Sequence, residues 1–230
     1  MPLETIDLCP AAEPTAALIV LHGLGADGTD FIPLCDELDL AAVGPVRCVM
    51  PRAPQRPVTI NGGTRRRAWY DGLGTEIGGR SSREDEPGLR ESVRAGHALI
   101  DREVARGIAP RRIVLAGFSQ GCAMTLLAGL RYPLRLAGLA GMSGYLPLAA
   151  NTAAERHAAN CDVPVFLAHG RDDDVVLPAR GAAARDALQA LGHAVDWHDY
   201  PMAHSVCMEE IAALNAWLLG ALAPASAAAP

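Results

Sequence analysis

The residues most able to do chemistry are Gly117-Phe118-Ser119-Gln120-Gly121, which fit G-x-S-x-G. The pentapeptide arises often by chance, so its surroundings carry the argument. It follows the β-rich run Ile113-Val114-Leu115-Ala116. It opens a helix with Ala123, Leu126, Leu127 and Leu130 on one side. A strand–turn–helix context of this kind is what a nucleophile elbow needs. The turn is tight, and Gly117 and Gly121 supply the small neighbours it demands. Ser119 is then lifted clear of the sheet, where its hydroxyl can attack an acyl carbonyl. The competing reading is an ordinary glycine-rich connection between a strand and a helix.

Serine is a poor nucleophile until a base takes its proton. On such a scaffold the acid and then the histidine follow the serine in the chain. Of seven histidines, His193, His198 and His204 lie beyond the later acidic candidates. His193 begins a strand at the wrong end of the sheet, and His198 falls within that strand. His204 falls in the loop before the last helix, which suits a catalytic base. The acid belongs just after the strand at 163–168, in His169-Gly170-Arg171-Asp172-Asp173-Asp174-Val175-Val176. Spacing alone leaves Asp172, Asp173 and Asp174 open.

His22-Gly23-Leu24-Gly25-Ala26-Asp27-Gly28 also follows a strand. Its formal G-x-G-x-x-G raises a dinucleotide-binding reading, in which Arg52 would suit a 2′-phosphate. That fingerprint puts its glycines at the opening of the helix. Here Thr29 or Asp30 looks like the cap, so the glycines precede the helix. The hydrolase reading assigns the loop one oxyanion donor, the Leu24 N–H, and assigns the second to Gln120 N–H after the nucleophile.

The elements that must position these groups alternate. Strand signals at 17–22, 46–50, 112–117, 136–142, 163–168 and 193–199 are separated by helical patterns. The clearest helices are one from about residue 30, one at 86–106 and a last one at 206–219. This pattern predicts an α/β fold, a mainly parallel sheet with helices on both faces. Residues 51–80 are rich in Pro, Gly and Arg without a period and read as a long functional loop. Residues 1–222 read as one domain, and 223–230 as a flexible Ala/Pro tail.

Composition narrows the chemistry. All 20 basic residues are Arg. A P-loop, a Schiff-base enzyme and a Ser-Lys hydrolase each need Lys and are excluded. The net charge of −6 argues against nucleic acid. There is no H-E-x-x-H or Cys/His cluster, so neither a metal nor another cofactor is expected. Six cysteines without C-x-x-C read as reduced thiols of a cytoplasmic protein. Residues 211–230 are uncharged, but Asn215 and Pro224 interrupt them, so no stable membrane insertion is expected. Arg65-Arg66-Arg67 reads as a solvated stretch.

Seven motifs in order, HGLGADGTDF (22–31), PRAP with VTINGG (51–63), RAWYD (67–71), GFSQG (117–121), SGYLP (143–147), HGRDDDVV (169–176) and AHSVCMEEI (203–211), resemble the phospholipase/carboxylesterase family. That family includes bacterial carboxylesterases and acyl-protein thioesterases. The resemblance implies an α/β-hydrolase fold. It implies Asp173 as the acid, with Asp174 standing where the family has proline, and His204 as the base. It implies Trp69 as a wall of the acyl pocket, and Cys122 replaces a common glycine. Tyr70, Leu73 and Ile77, in the same loop, are expected to help cover the acyl chain.

The expected activity is a metal-free carboxylesterase for small-molecule esters of short to medium acyl chains. Ser119, His204 and Asp173 form the triad. A thioesterase or lysophospholipase with the same machinery is the alternative. An NADP-dependent oxidoreductase and an inactive binding protein stand further off. A homodimer is left open.

Overall fold

The computed structural model describes residues 3–72 and 84–223. Fully apolar, β-branched runs build its centre. Strand β2 (Ala16–Leu21) is buried along its whole length. Its residues alternate strictly: Ala17, Ile19 and Leu21 join one core layer, and Ala16, Leu18 and Val20 join the other. Strand β6 (Ile113–Phe118) divides in the same way, with Ile113 and Leu115 opposite Val114 and Ala116. A strand buried on both faces needs cover on both faces, which is why the chain returns through helices.

Among the described residues, seven strands form one sheet in the order β1-β3-β2-β6-β7-β8-β9. The remaining members are β1 (Thr5–Leu8), β3 (Val46–Pro51), β7 (Gly138–Met142), β8 (Val165–Gly170) and β9 (Val195–Tyr200). Only β1 runs antiparallel to its neighbour. Helices α1 (Ile32–Glu37) and α6 (Met208–Ala221) cover one face through Leu34, Leu214 and Leu218. The other face is covered by α2 (Glu86–Ala105), α3 (Gln120–Gly129) and α5 (Pro178–Ala190), through Leu89, Leu126 and Leu188 among others. A short α4 (Ala149–Glu155) follows β7.

Three sequence expectations change. Strand β1 was not foreseen: its TIDL is short and half-buried, with an acidic residue inside it. The 51–80 stretch is not all loop. Strands β4 (Gln55–Val58) and β5 (Thr64–Arg67) pair as an antiparallel hairpin, although Arg56 stands opposite Arg66. A 3-10 turn (Gly28–Phe31) leads into α1, and its cap is Asp27 rather than Thr29 or Asp30. The Asp27 carboxylate accepts from Thr29 N–H, and the Asp30 carboxylate accepts from Asp27 N–H at 2.8 Å, closing a capping box. Leu73, Ile77 and residues 224–230 lie outside the described residues.

Candidate active site

Ser119 occupies the bend between β6 and α3 with φ 56° and ψ −118°. A non-glycine residue held at positive φ costs about 1–3 kcal/mol, so the surroundings must enforce it. They do so by crowding. A Cβ on Gly117 would collide with the backbone of Gly121, and one on Gly121 would run into the Leu21 carbonyl. The Ser119 N–H donates to the Met142 carbonyl at the end of β7 (2.9 Å). The glycine requirement read from sequence therefore has a direct steric cause.

Asp173 lies in the turn after β8. Its Oδ1 accepts from the N–H groups of Val175 (2.9 Å) and Val176 (2.8 Å), which fixes the carboxylate. Asp172 and Asp174 point into solvent, whereas Asp173 is buried. His204 arrives from the loop after β9. That loop lies directly on the end of β8: Arg171 N–H donates to Tyr200 O and Asp172 N–H to Met202 O. A Cβ on Gly170 would strike the carbonyl oxygens of Met202 and Ala203, so only glycine lets the loop pass.

The result is a continuous polar chain. His204 Nδ1 lies 2.7 Å from Asp173 Oδ2, and its Nε2 lies 2.9 Å from Ser119 Oγ. An ionised carboxylate only accepts, so Nδ1 carries the proton and Nε2 is left to accept from the hydroxyl. The Phe118 ring, 4.7 Å from the imidazole between centroids, braces it.

A second histidine meets the same carboxylate. His169 Nε2 lies 2.7 Å from Val176 O and 3.4 Å from Asp173 Oδ2. Both are acceptors, so Nε2 carries a proton. Burial holds the ring's pKa below the ordinary histidine value, which favours the neutral form. The sequence reading did not single out His169. The signal available was its spacing, four residues before Asp173 at the end of β8.

The 22–28 loop passes over the nucleophile: a Cβ on Gly23 would sit 3.3 Å from Ser119 Cβ. Gln120 N–H is at the first turn of α3, where no intrahelical acceptor exists. Among the described residues the Leu24 and Gln120 N–H groups make none of the backbone bonds that hold this loop, which use Gly25 N–H to Arg67 O and Ala26 N–H to Gly23 O. Arg52, left open by the sequence to a 2′-phosphate, is engaged by Asp27 (2.9 Å) and Glu4 (2.6 Å).

A cleft of about 440 Å³ opens beside Ser119 and His204, lined by Leu24, Phe31, Leu34, Phe118, Val206 and Ile211. Trp69 and Tyr70 do not line it. Trp69 is 1% exposed. Its indole N–H donates to His22 O (2.8 Å) and its backbone N–H to Gln120 Oε1 (3.0 Å). Gln120 Nε2 donates to Tyr70 O, and Ser92 Oγ donates to Trp69 O. The Tyr70 hydroxyl meets that of Tyr145 at 2.6 Å. Among the described residues, the apolar walls of this cleft are on the α1 and α6 side. The sequence reading did not single out Phe31, Leu34, Phe118, Val206 and Ile211 as cleft residues, because they are scattered over separate segments.

Cys122, in the slot after the elbow, is buried against positions 141 and 144, where a Cβ would meet its Sγ at 2.5 Å. Burial pushes its thiol up to about 12. Among the described residues, no group of three His, Cys, Asp or Glu could hold a metal ion, and no helix is long and apolar enough to cross a membrane.

Comparison with known proteins completes the picture. The profile of the phospholipase/carboxylesterase family matches residues 5–219. The chain is 37% identical to acyl-protein thioesterase 1 of Yarrowia lipolytica, over 94% of this chain and 96% of that protein. Among solved structures, carboxylesterase SOBER1 of Arabidopsis thaliana superposes with a TM-score of 0.85 at 31% identity, covering 90% of this chain and 99% of that one. Acyl-protein thioesterase 2 of Zea mays gives 0.84 at 30% identity, covering 95% and 99%.

Proposed function

Since the chain belongs to the phospholipase/carboxylesterase family and is a carboxylic ester hydrolase of the α/β-hydrolase fold, we propose that it is a serine carboxylesterase for short to medium acyl chains. The observation that carries this reading is the Asp173–His204–Ser119 chain, with links of 2.7 and 2.9 Å, opening on an apolar cleft.

In this reading Ser119 Oγ attacks the acyl carbonyl while His204 Nε2 takes its proton. Asp173 holds the Nδ1–H tautomer and stabilises the imidazolium that forms. The N–H groups of Leu24 and Gln120 hold the developing oxyanion, commonly the largest contribution to such catalysis. His204 then returns the proton to the leaving alcohol, and water discharges the acyl-enzyme by the same route. His169 and the Val175 and Val176 N–H groups keep Asp173 in place.

The cleft supports an acyl chain as substrate because Leu24, Phe31, Leu34, Phe118, Val206 and Ile211 line it beside Ser119 and His204. A second reading, thioester hydrolysis by the same groups, is favoured by the 37% identity to an acyl-protein thioesterase. Both share the acyl-enzyme and differ in the leaving group.

The test is a series of p-nitrophenyl esters of increasing acyl length, with one acyl thioester of medium length. The proposal expects the highest kcat/KM on esters of short to medium chain. A thioester outpacing every ester would move the assignment to the second reading. No turnover of any acyl substrate would refute both.

A further inference from the structure

The loop that passes over Ser119 begins with a histidine whose side chain the proposed reaction does not use. His22 is fully buried, yet both of its ring nitrogens are engaged. Nε2 lies 3.0 Å from the Ala53 nitrogen, and Nδ1 lies 2.7 Å from the Gly23 carbonyl oxygen. A backbone N–H only donates, so Nε2 is the acceptor and Nδ1 carries the proton. The Nδ1–H therefore donates to Gly23 O. Burial holds the pKa of the ring below the ordinary histidine value, which keeps it neutral and keeps this tautomer. The far anchor is itself fixed, because Ala53 O accepts from Arg67 Nη1 at 3.0 Å.

We infer that His22 is the positioning residue of the oxyanion hole: its ring holds the Gly23 carbonyl so that the Leu24 N–H faces the acyl oxygen. The inference rests on the ester-hydrolase reading, with the Leu24 and Gln120 N–H groups as donors. The Gly23 carbonyl and the Leu24 N–H belong to one trans peptide. Such a unit is planar, and its C=O and N–H point in opposite directions. A grip on the carbonyl from one side therefore aims the N–H to the other. Gly23 is next to the nucleophile, since a Cβ on it would sit 3.3 Å from Ser119 Cβ, and Leu24 lines the cleft with Ser119.

The grip matters because its target is a glycine. Without a Cβ, Gly23 reaches conformations closed to other residues, so the peptide after it rotates at little steric cost. Apart from the ring, Gly23 O is held by Ala26 N–H at a longer 3.3 Å. A rotated peptide would turn the Leu24 N–H away and set a carbonyl oxygen towards the developing oxyanion, replacing attraction by repulsion. Trp69 holds the His22 carbonyl through its indole N–H, so the backbone of residue 22 is tied independently of the ring. The side chain of His22 is thus left to act on the next peptide.

Three variants of the full chain separate the two ring bonds. His22→Asn puts an amide nitrogen at the Nδ1 position and keeps the Gly23 bond. His22→Gln puts an amide oxygen near the Nε2 position and keeps the Ala53 bond. His22→Leu keeps neither. Each is measured for melting temperature, for kcat and KM on one short ester, and for affinity towards an alkylboronic acid. The boron takes a lone pair from Ser119 Oγ, whose proton passes to His204, and the tetrahedral anion places an oxygen where the acyl oxyanion would sit. His22→Asn and His22→Gln should lose similar amounts of melting temperature. Only His22→Gln and His22→Leu should lose kcat, by about 10²-fold, the lower end of what removing one oxyanion donor costs. Their KM should stay near wild type, and their boronate affinity should fall with kcat. His22→Asn should keep most of both. Equal losses of kcat in His22→Asn and His22→Gln would overturn the inference and make His22 a packing residue. Wild-type kcat and boronate affinity in His22→Gln would overturn it as well. The Asn and Gln pair decides the matter even if His22→Leu does not fold. A wild-type protein that neither cleaves esters nor binds the boronate would instead refute the hydrolase reading, and the inference with it.

Discussion

The two flanks of Ser119 are built on opposite principles. On the Trp69 flank the groups of Trp69 and the side-chain amide of Gln120 find partners inside the protein: Trp69 with His22 and Gln120, Gln120 with Tyr70, and Ser92 with Trp69. On the His204 flank a single polar chain, Asp173 to His204 to Ser119, ends at an open cleft walled largely by Leu24, Phe31, Leu34, Phe118, Val206 and Ile211, with Asp30 and Ser205 among its lining. A buried, satisfied network specifies one arrangement and has little left to offer a ligand. A lone polar chain beside an empty apolar wall is what a reacting acyl group needs. The same serine is thus held from one side and served from the other, which separates stability from activity in space.

That separation can be broken most severely at Asp173. Asp173→Asn should lower kcat by about 10³–10⁴-fold, because an amide can hold the wrong imidazole tautomer and cannot stabilise its cation. The melting temperature should change far less. Asp172→Asn and Asp174→Asn, at exposed positions, should leave kcat near wild type. Equal losses at all three would mean that the acid lies elsewhere.

The opposite flank predicts the opposite outcome. Trp69→Ala should cost about 3–5 kcal/mol of stability, as expected for deleting a buried aromatic side chain. Its ratio of kcat/KM between a short and a medium ester should stay near that of the wild type. A changed ratio at unchanged stability would return Trp69 to the substrate pocket.

A smaller effect is expected at Ile211, part-exposed on the cleft wall. Ile211→Ala should lower kcat/KM for a medium-chain ester relative to an acetate. Each lost methylene contact is worth up to about 0.8 kcal/mol, roughly fourfold in rate. Uniform rates across chain length in wild type and variant would remove this wall from the site.

The neighbouring Glu210 gives the mildest test. It is fully buried, and burial pushes its carboxyl up to about 8. Its folded pKa lies above the ordinary value of 4.5. The favourable contribution is therefore complete below that value and is lost as pH rises through about 8. The wild-type melting temperature should decline more between pH 5 and 8 than that of Glu210→Gln, by about 2–4 °C for each kcal/mol involved. Parallel profiles would show that Glu210 is not the titrating group.

Sequence legibility followed the same division. The strands through β2 and β6 were readable because burial on both faces demands unbroken apolar runs. The elbow was readable because its steric demand falls on Gly117 and Gly121 directly. His204 could be singled out from its place in the loop after β9, and the fold sets it between Asp173 and Ser119. Asp173 could be separated from its neighbours only by resemblance. Its burial depends on Oδ1 capturing two N–H groups downstream, which spacing does not encode. The β4–β5 hairpin was hidden by consecutive arginines that break strand alternation. Trp69 could not be assigned from sequence because a large aromatic beside this loop suits either a pocket or a core, and its burial and its indole and backbone bonds appear only in the fold.

The central claim is that one serine, activated by His204, forms the acyl-enzyme. Labelling with a fluorophosphonate, followed by intact mass and peptide mapping, tests it most directly. One adduct per chain is predicted, on the peptide containing Ser119, with label and esterase activity lost together in Ser119→Ala. Persistent labelling or turnover in Ser119→Ala would contradict the account.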